Sequence, residues 1–277
     1  MKQHTRELGF GHVGLLLGII VLCGVILAGG VVWKKHQNQP TVSPELKAAL
    51  ANAQCSSEKD PDLCKFFISF NVQKYTTVSF SDTFNGNNDT GTYQTDNANK
   101  YHIAITERNG SYEIIGIGTT LYSKNTDGNS WWKQKVPLSE VANYNSATDS
   151  ALVFTAPTSS RSQMTYKRQD NGKCGNHPEL TCLKYQVTDM SNSGMARFIW
   201  FDTTNYQLQR VKTVSSNGNS DATFGYAKAD ISAPSPVKDL PSNKYIVPGQ
   251  SEPVTLPAGA SWDSSAGGLI QQYQNSQ

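Results

Sequence analysis

Charge is sparse in this 277-residue sequence and evenly split: Asp, Glu, Lys and Arg make up 17%, with 24 basic against 22 acidic residues. No long run of one sign occurs, so the basic stripe that phosphate neutralisation requires is missing and nucleic acid is not expected as a partner. Histidine is scarcer still. Of five, His4, His12 and His36 lie in or beside an apolar N-terminal stretch, leaving His102 and His177 for the rest of the chain. GxSxG, HExxH and a phosphate-cradling glycine loop are absent, which removes the motif-based routes to a serine hydrolase, a zinc peptidase or a nucleotide enzyme.

The remaining candidates for chemistry are thin. His102 sits beside Tyr101 and Ile103 in a strand-like run and reads as a partly exposed strand residue without a paired motif. Gly116 and Gly118 imitate a glycine loop, but their neighbours are strand formers, so close backbone packing is the expectation. Glu58, Asp60 and Asp62 crowd one short cysteine loop without the Asp-x-Asp-x-Asp-Gly order of a calcium site, and read as solvated carboxylates. The expectation is a non-enzyme with no cofactor and no metal.

Cysteine is also limited, to five positions. Cys23 lies in the apolar stretch after Ile20, Val21 and Leu22, where a lipobox would carry small residues, so it reads as a buried thiol. The other four form two close pairs, Cys55 with Cys64 and Cys174 with Cys182, which suggests two disulfides. Disulfides persist in oxidising surroundings, so this part of the chain is expected outside the cytoplasm. A metal alternative joins Cys174, His177 and Cys182, but it offers three local ligands where structural zinc sites take four.

What the sequence does have is one long apolar run, residues 11–33, with no Asp, Glu, Lys or Arg. As a helix it reaches roughly 34 Å, enough for a hydrocarbon core of about 30 Å. Trp33 falls at its boundary, where an amphipathic ring is favoured. Lys2 and Arg6 on one side nearly balance Lys34 and Lys35 on the other, so orientation rests on the disulfides. A cleaved signal peptide is the rival reading, with Ala28 and Gly30 as small residues before a cleavage site, although the run is longer than a usual signal core. The expected partner is therefore the bilayer, through a single-pass transmembrane helix, with the C-terminal domain outside the cytoplasm.

Five parts follow along the chain: a tail at 1–10, the transmembrane helix at 11–33, a linker at 34–43, a β domain at 44–236, and a Pro/Ser/Gln-rich tail at 237–277 read as extended or disordered. Ser43-Pro-Glu-Leu looks like a capped helix start, with a break near Asp60-Pro61. From residue 69 onward, β-branched and aromatic residues alternate with turn signals. The spacing predicts strands at 69–82, 92–97, 100–107, 111–123, 131–136, 151–156, 162–168, 181–189, 195–202, 206–215 and 220–230, with tight turns at Asn109-Gly110, Asp127-Gly128 and Asn217-Gly218. No βαβ alternation appears, so the sheet is expected to be antiparallel.

Several strands are apolar on both faces. In 111–123, Tyr112, Ile114 and Tyr122 are assigned to one face and Ile115, Ile117 and Leu121 to the other; in 195–202, Phe198 and Trp200 oppose Ile199 and Phe201. Both faces then need cover. One cover is the N-terminal helix; the other is sheet curvature, a loop or an apolar ligand, and candidate cavity residues are Ile115, Ile117, Leu121, Phe198 and Trp200.

Taken in order, these segments resemble the LolA-like lipoprotein-carrier superfamily. The resemblance rests on a helix before a long strand at 71–84, Gly91-Thr-Tyr, Asn99-Lys-Tyr-His-Ile-Ala-Ile, the run from Ile114 to Lys124, Trp131-Trp-Lys, Leu183-Lys-Tyr-Gln-Val, Phe198-Ile-Trp-Phe-Asp and Tyr206-Gln-Leu-Gln-Arg-Val, with Tyr226, Ile231 and Pro234 at the exit. It implies a mainly β domain with an N-terminal helix: a strongly curved antiparallel sheet, an open half-barrel, wrapped around that helix and enclosing an apolar cavity for lipid or lipoprotein acyl chains. With a fixed anchor, local lipid capture or sensing is expected in place of shuttling. The alternative is a cell-surface interaction or structural domain with a closed core.

Overall fold

The computed structural model describes residues 42–84, 87–96, 98–108, 110–125, 130–135, 164–175, 177–189, 195–216, 218–241, 244–245 and 252–255. The stretch 11–33 with Cys23, the tail 1–10, most of the linker 34–43, the strand expected at 151–156 and the chain past 255 lie outside the described residues.

Two helices start in the same way. In α1 (Pro44–Ala51) the Ser43 hydroxyl accepts from the Leu46 amide at 3.1 Å, and in α2 (Pro61–Val72) Asp60 Oδ1 accepts from the Leu63 amide at 3.1 Å. Each cap is followed by proline, whose fixed φ suits the first helical position and whose missing N–H is one the helix leaves unpaired anyway. A 3₁₀ turn (Cys55–Ser57) joins them, and the Cys55–Cys64 disulfide staples that turn to the first turn of α2.

Leu63, Phe66, Phe67 and Phe70 fall at i, i+3, i+4 and i+7, so α2 carries one apolar stripe. That stripe keeps the chain helical through Val72, where the sequence reading had already begun a strand. The β-branched run proper starts at Thr76, and the first strand, β1, spans Thr77–Phe84.

The strands that follow are β2 (Asn87–Thr95), β3 (Lys100–Glu107), β4 (Gly110–Ile117), β5 (Thr120–Asn125), β6 (Trp131–Lys135), β7 (Met164–Arg168), β8 (Gly172–Cys174), β9 (His177–Asp189), β10 (Met195–Asp202), β11 (Leu208–Ser215), β12 (Gly218–Gly225) and β13 (Val237–Asp239). They form one sheet in the order β13-β6-β5-β4-β3-β2-β1-β12-β11-β10-β9-β7, with β8 paired to β9. A separate pair joins β14 (Lys244–Tyr245) to β15 (Val254–Thr255). Two antiparallel meanders are thus fused along β1 and β12, which pair over their full lengths from Thr77↔Gly225 to Phe84↔Gly218. β13 lies past residue 236, the expected end of the domain, and extends the sheet by pairing in parallel with β6. The terminal strands of the path, β13 and β7, do not close on each other, so the sheet is large and open.

Aromatic stacking fixes α2 to one face. Phe66 stacks on Phe201 of β10 with centroids 4.6 Å apart, Phe201 stacks on Tyr185 of β9 at 5.3 Å, and Phe67 meets Tyr166 of β7 edge-on at 5.4 Å. The carboxylates read as solvated in the sequence clamp this contact. Tyr185 donates to Asp60 Oδ2 at 2.8 Å, Arg168 to Asp62 Oδ2 at 2.9 Å, and Tyr206 to Asp62 Oδ1 at 3.3 Å. Their partners come from more than 100 residues away, a proximity that local spacing does not carry. A carboxylate at a helix N-terminus also meets the positive end of the helix dipole.

Between β10 and β11 the buried Asp202 organises the turn. Its carboxylate accepts from the amides of Thr204, Asn205 and Gln207 and from the Gln209 side chain, so the burial of charge is met by four donors. Tyr206, the clamp residue, takes a left-handed φ of 57° within this turn.

Replacing Phe66 with alanine is expected to lower unfolding free energy by about 3–5 kcal/mol, the usual cost of deleting a buried aromatic. Urea denaturation of both proteins checks this; a loss under about 1 kcal/mol would mean that the stack does not hold α2 in place.

Candidate functional site

Side chains alternate across a strand, so pairing register sorts the sheet into faces. On the face that carries α2, one row runs Phe224, Val78, Tyr93, Ile103, Ile114 and Ser123 across β12 to β5. The next row runs Ile199, Val211, Ala222, Phe80, Gly91, Ile105 and Tyr112 across β10 to β4. Gly91 is required there, because the Phe80 ring lies over its α-carbon in the space that a side chain would fill. Gly116 plays the same part under the Tyr101 ring, in line with the backbone packing expected of it, whereas Gly118 is a turn residue with φ of 57°.

The contacts of α2 described above fall on β7, β9, β10 and the turn after β10. The two apolar rows extend beyond them over β1 to β5, where Ile105 is 3% and Leu121 4% exposed. Phe80, Tyr112 and Ile114 are partly buried against the same cluster.

Against this arrangement, the five cavity residues expected from sequence divide between the two faces. Leu121 belongs to the helix-side cluster. Ile115 and Ile117 lie on the opposite face, with Trp131, Ala229, Ile231, Tyr122 and Val237. The cause is a hairpin hidden inside 111–123: Gly118 and Thr119 form a two-residue turn, Ile117 pairs with Thr120, and Ile115 pairs with Tyr122. Across such a turn the odd and even positions exchange faces, so Tyr122 joins Ile115, and Leu121 joins Ile114. The chain's own exit segment, Ala229 to Val237, contributes to this second cluster, so a loop provides cover on that side.

Phe198 and Trp200 also lie away from α2, since Ile199 and Phe201 of the same strand occupy the core. Cations cover them: Lys184 Nζ is 4.7 Å from the Phe198 ring and 5.3 Å from the Trp200 ring, and the Arg210 guanidinium is 5.0 Å from the latter. Arg210 is itself paired with Asp221 on β12. The sequence signal was present in β11, where Arg210 and Lys212 alternate with Val211 and Thr213 and pair with Trp200 and Phe198.

A third row on the helix side is polar. Arg197, Thr213, Ser220, Asp82 and Asp89 follow one another through the pairs of β10, β11, β12, β1 and β2, and Glu107 of β3 stands beside Asp89 at the next position. Asp82 is only 8% exposed. Burial, reinforced by the charge of Asp89, pushes the Asp82 carboxyl up to about 7, and the same two causes push Glu107 up to about 7. The Oε1 atom of Glu107 is buried without a hydrogen-bond partner, as is the Oγ1 atom of Thr213. No sequence pattern marked this row, because its members come from six strands.

The histidines occupy ion pairs. His102 Nε2 lies 3.2 Å from Glu113 Oε2 on the face away from α2, with Lys124 Nζ 3.8 Å from the other Glu113 oxygen. His177 Nδ1 lies 3.0 Å from Glu179 Oε1. Cys174 and Cys182 are bonded to each other, so neither has a thiolate to give the metal set weighed from sequence. Among the described residues no three metal-ligating side chains converge.

No protein-family model matches the sequence, and no curated protein is similar to it. Among solved structures, the fold is similar to that of lipoprotein LppX of Mycobacterium tuberculosis, at 11% identity and a TM-score of 0.39 over 67% of this chain and 99% of that one. LprF of Mycobacterium bovis matches at 14% identity and a TM-score of 0.39, over 71% and 98%. A LolA superfamily protein of Nitrosomonas europaea matches at 11% identity and a TM-score of 0.20, over 60% and 86%. At these scores the likeness concerns the path of the chain, and nothing about ligand or partner follows from it.

The raised carboxyl pKa values have a definite sign. Between about pH 4 and pH 7 the unfolded chain releases protons that folded Asp82 and Glu107 retain, so stability falls as pH rises through this window and levels off above it. The double variant Asp82→Asn/Glu107→Gln is expected to flatten this decline, gaining most over the wild type at pH 8 and least at pH 4. Thermal melts at both pH values check this, and an unchanged pH dependence would contradict it.

Proposed function

We propose that this chain is a non-enzymatic module that binds a hydrophobic or lipid-linked ligand outside the cytoplasm, held at the cell membrane by residues 11–33. The observation that carries the reading is the apolar expanse of Phe80, Ile103, Ile105, Tyr112, Ile114 and Leu121, which continues over β1 to β5 past the aromatic stack of α2. In this reading the open sheet curves around α2 as a half-barrel, and an acyl chain lies along its β1–β5 wing. A binding site for such a ligand needs a continuous apolar lining with few polar groups, and this wing has that composition. The two disulfides support an oxidising compartment, and the uncharged 23-residue run supports the anchor.

A second reading is a cell-surface interaction or structural domain with a closed core. The near-complete burial of Ile105 and Leu121 favours it.

Native mass spectrometry of protein purified from membranes, before and after organic extraction, separates the two. A bound acyl lipid at fixed stoichiometry is the expected result, and Ile114→Trp, which fills the wing, is expected to reduce the bound fraction at least threefold without lowering the melting temperature. Protein that is lipid-free from the outset and melts identically after extraction would establish the closed-core reading.

A further inference from the structure

The third, polar row crosses the same face that the apolar rows line, one side-chain level further along the strands. Asp82 pairs with Asp89 on one side and Ser220 on the other, Ser220 pairs with Thr213, and Glu107 stands beside Asp89. Adjacent carboxylates on one face repel each other when ionised, and sheets otherwise avoid like charges directly opposite. A cluster of acids alone would say little. Here a second feature stands beside it: Thr213 is 4% exposed and its hydroxyl is buried with no hydrogen-bond partner, two strands from Asp82 on the same face and in the same row. Buried hydroxyls are nearly always paired, so an unpaired one aimed along this row marks a position where another group completes the hydrogen bonding.

We infer that this row is a head-group site, in which Asp82, Asp89 and Glu107 with Thr213 and Ser220 hold the ammonium or hydroxyl head of an amphiphile whose chain lies over the apolar rows. The inference rests on the ligand-binding reading above and adds the chemistry of the ligand's polar end. Three carboxylates accept hydrogen bonds from an ammonium and repel a carboxylate or a phosphate. Arg197, the one cation of the row, stands at its β10 end beside Tyr166, with Thr213 and Ser220 between it and Asp82. A cationic or hydroxylated head therefore fits the β12–β3 end.

Three probes of equal chain length test the assignment on the full-length protein: hexadecylamine, hexadecanol and palmitate, each competing with a fluorescent apolar dye. In the wild type the amine is expected to bind at least about tenfold more tightly than palmitate. The double variant Asp82→Asn/Glu107→Gln is expected to shrink that preference below about threefold while leaving hexadecanol within about twofold. Thr213→Val, which keeps the side-chain shape, is expected to weaken hexadecanol and hexadecylamine and spare the dye, which has no head group to lose. Equal binding of all three probes to the wild type, or tighter palmitate, would overturn the head-group assignment and leave the apolar site standing. Failure of every probe and of the dye would overturn the ligand-binding reading itself, and the head-group site with it.

Discussion

The stack of Tyr185, Phe201 and Phe66 is the contact on which the arrangement of this protein turns. It decides which face of a thirteen-strand open sheet receives α2, and therefore which side chains of every neighbouring strand point inward. Once Phe201 is inward, Ile199 is inward as well, and the hydrogen-bonded register carries that assignment across β11, β12 and β1 to β5. Asp60 and Asp62 reinforce the stack, since one residue caps α2 while reaching Tyr185 and the other reaches Arg168 and Tyr206. The Cys55–Cys64 bridge adds a constraint of about 2–3 kcal/mol, in the chain-entropy view of a loop this short.

The two faces solve the burial problem differently. Opposite α2, the chain covers itself: Ala229, Ile231 and Val237 of the exit segment pack on Ile115, Ile117 and Trp131, and β13 then ties that segment to β6. Further along the same face, the rings of Phe198 and Trp200 are sheltered by Lys184 and Arg210, so an aromatic pair that looks like core in sequence is a surface feature with cationic cover. The helix-side face combines a filled half, under α2, with the apolar wing of β1 to β5 and a polar row beyond it. We assign ligand binding to that wing because its composition changes from apolar to acidic along the strand direction, as an amphiphile does along its length.

Local chemistry in the sequence foretold local structure well. The Ser43-Pro44 cap is formed, the β3 and β10 spans agree with their expected bounds, the two close cysteine pairs are bonded, and the sheet is antiparallel apart from the β13–β6 pair. What the sequence did not show was set by long-range pairing. The Gly118-Thr119 turn lies inside an unbroken β-rich run, so the faces of Leu121 and Tyr122 were assigned by simple alternation and came out exchanged. Phe198 and Trp200 are as apolar as Ile199 and Phe201, and only pairing with the alternating strand β11 separates them. The acidic row is invisible to any local window, because Asp82, Asp89 and Glu107 meet only through register.

Photo-crosslinking tests the central claim, that the helix-side wing of β1 to β5 is the ligand surface, most directly. Full-length protein is loaded with a fatty acyl probe that carries a diazirine at mid-chain, irradiated, and mapped by peptide mass spectrometry. Crosslinks concentrated on Phe80, Ile103, Ile105, Tyr112, Ile114 and Leu121 are the expected result. Crosslinks at Ile115, Ile117, Phe198 or Trp200, with none on the helix-side residues, would contradict the account.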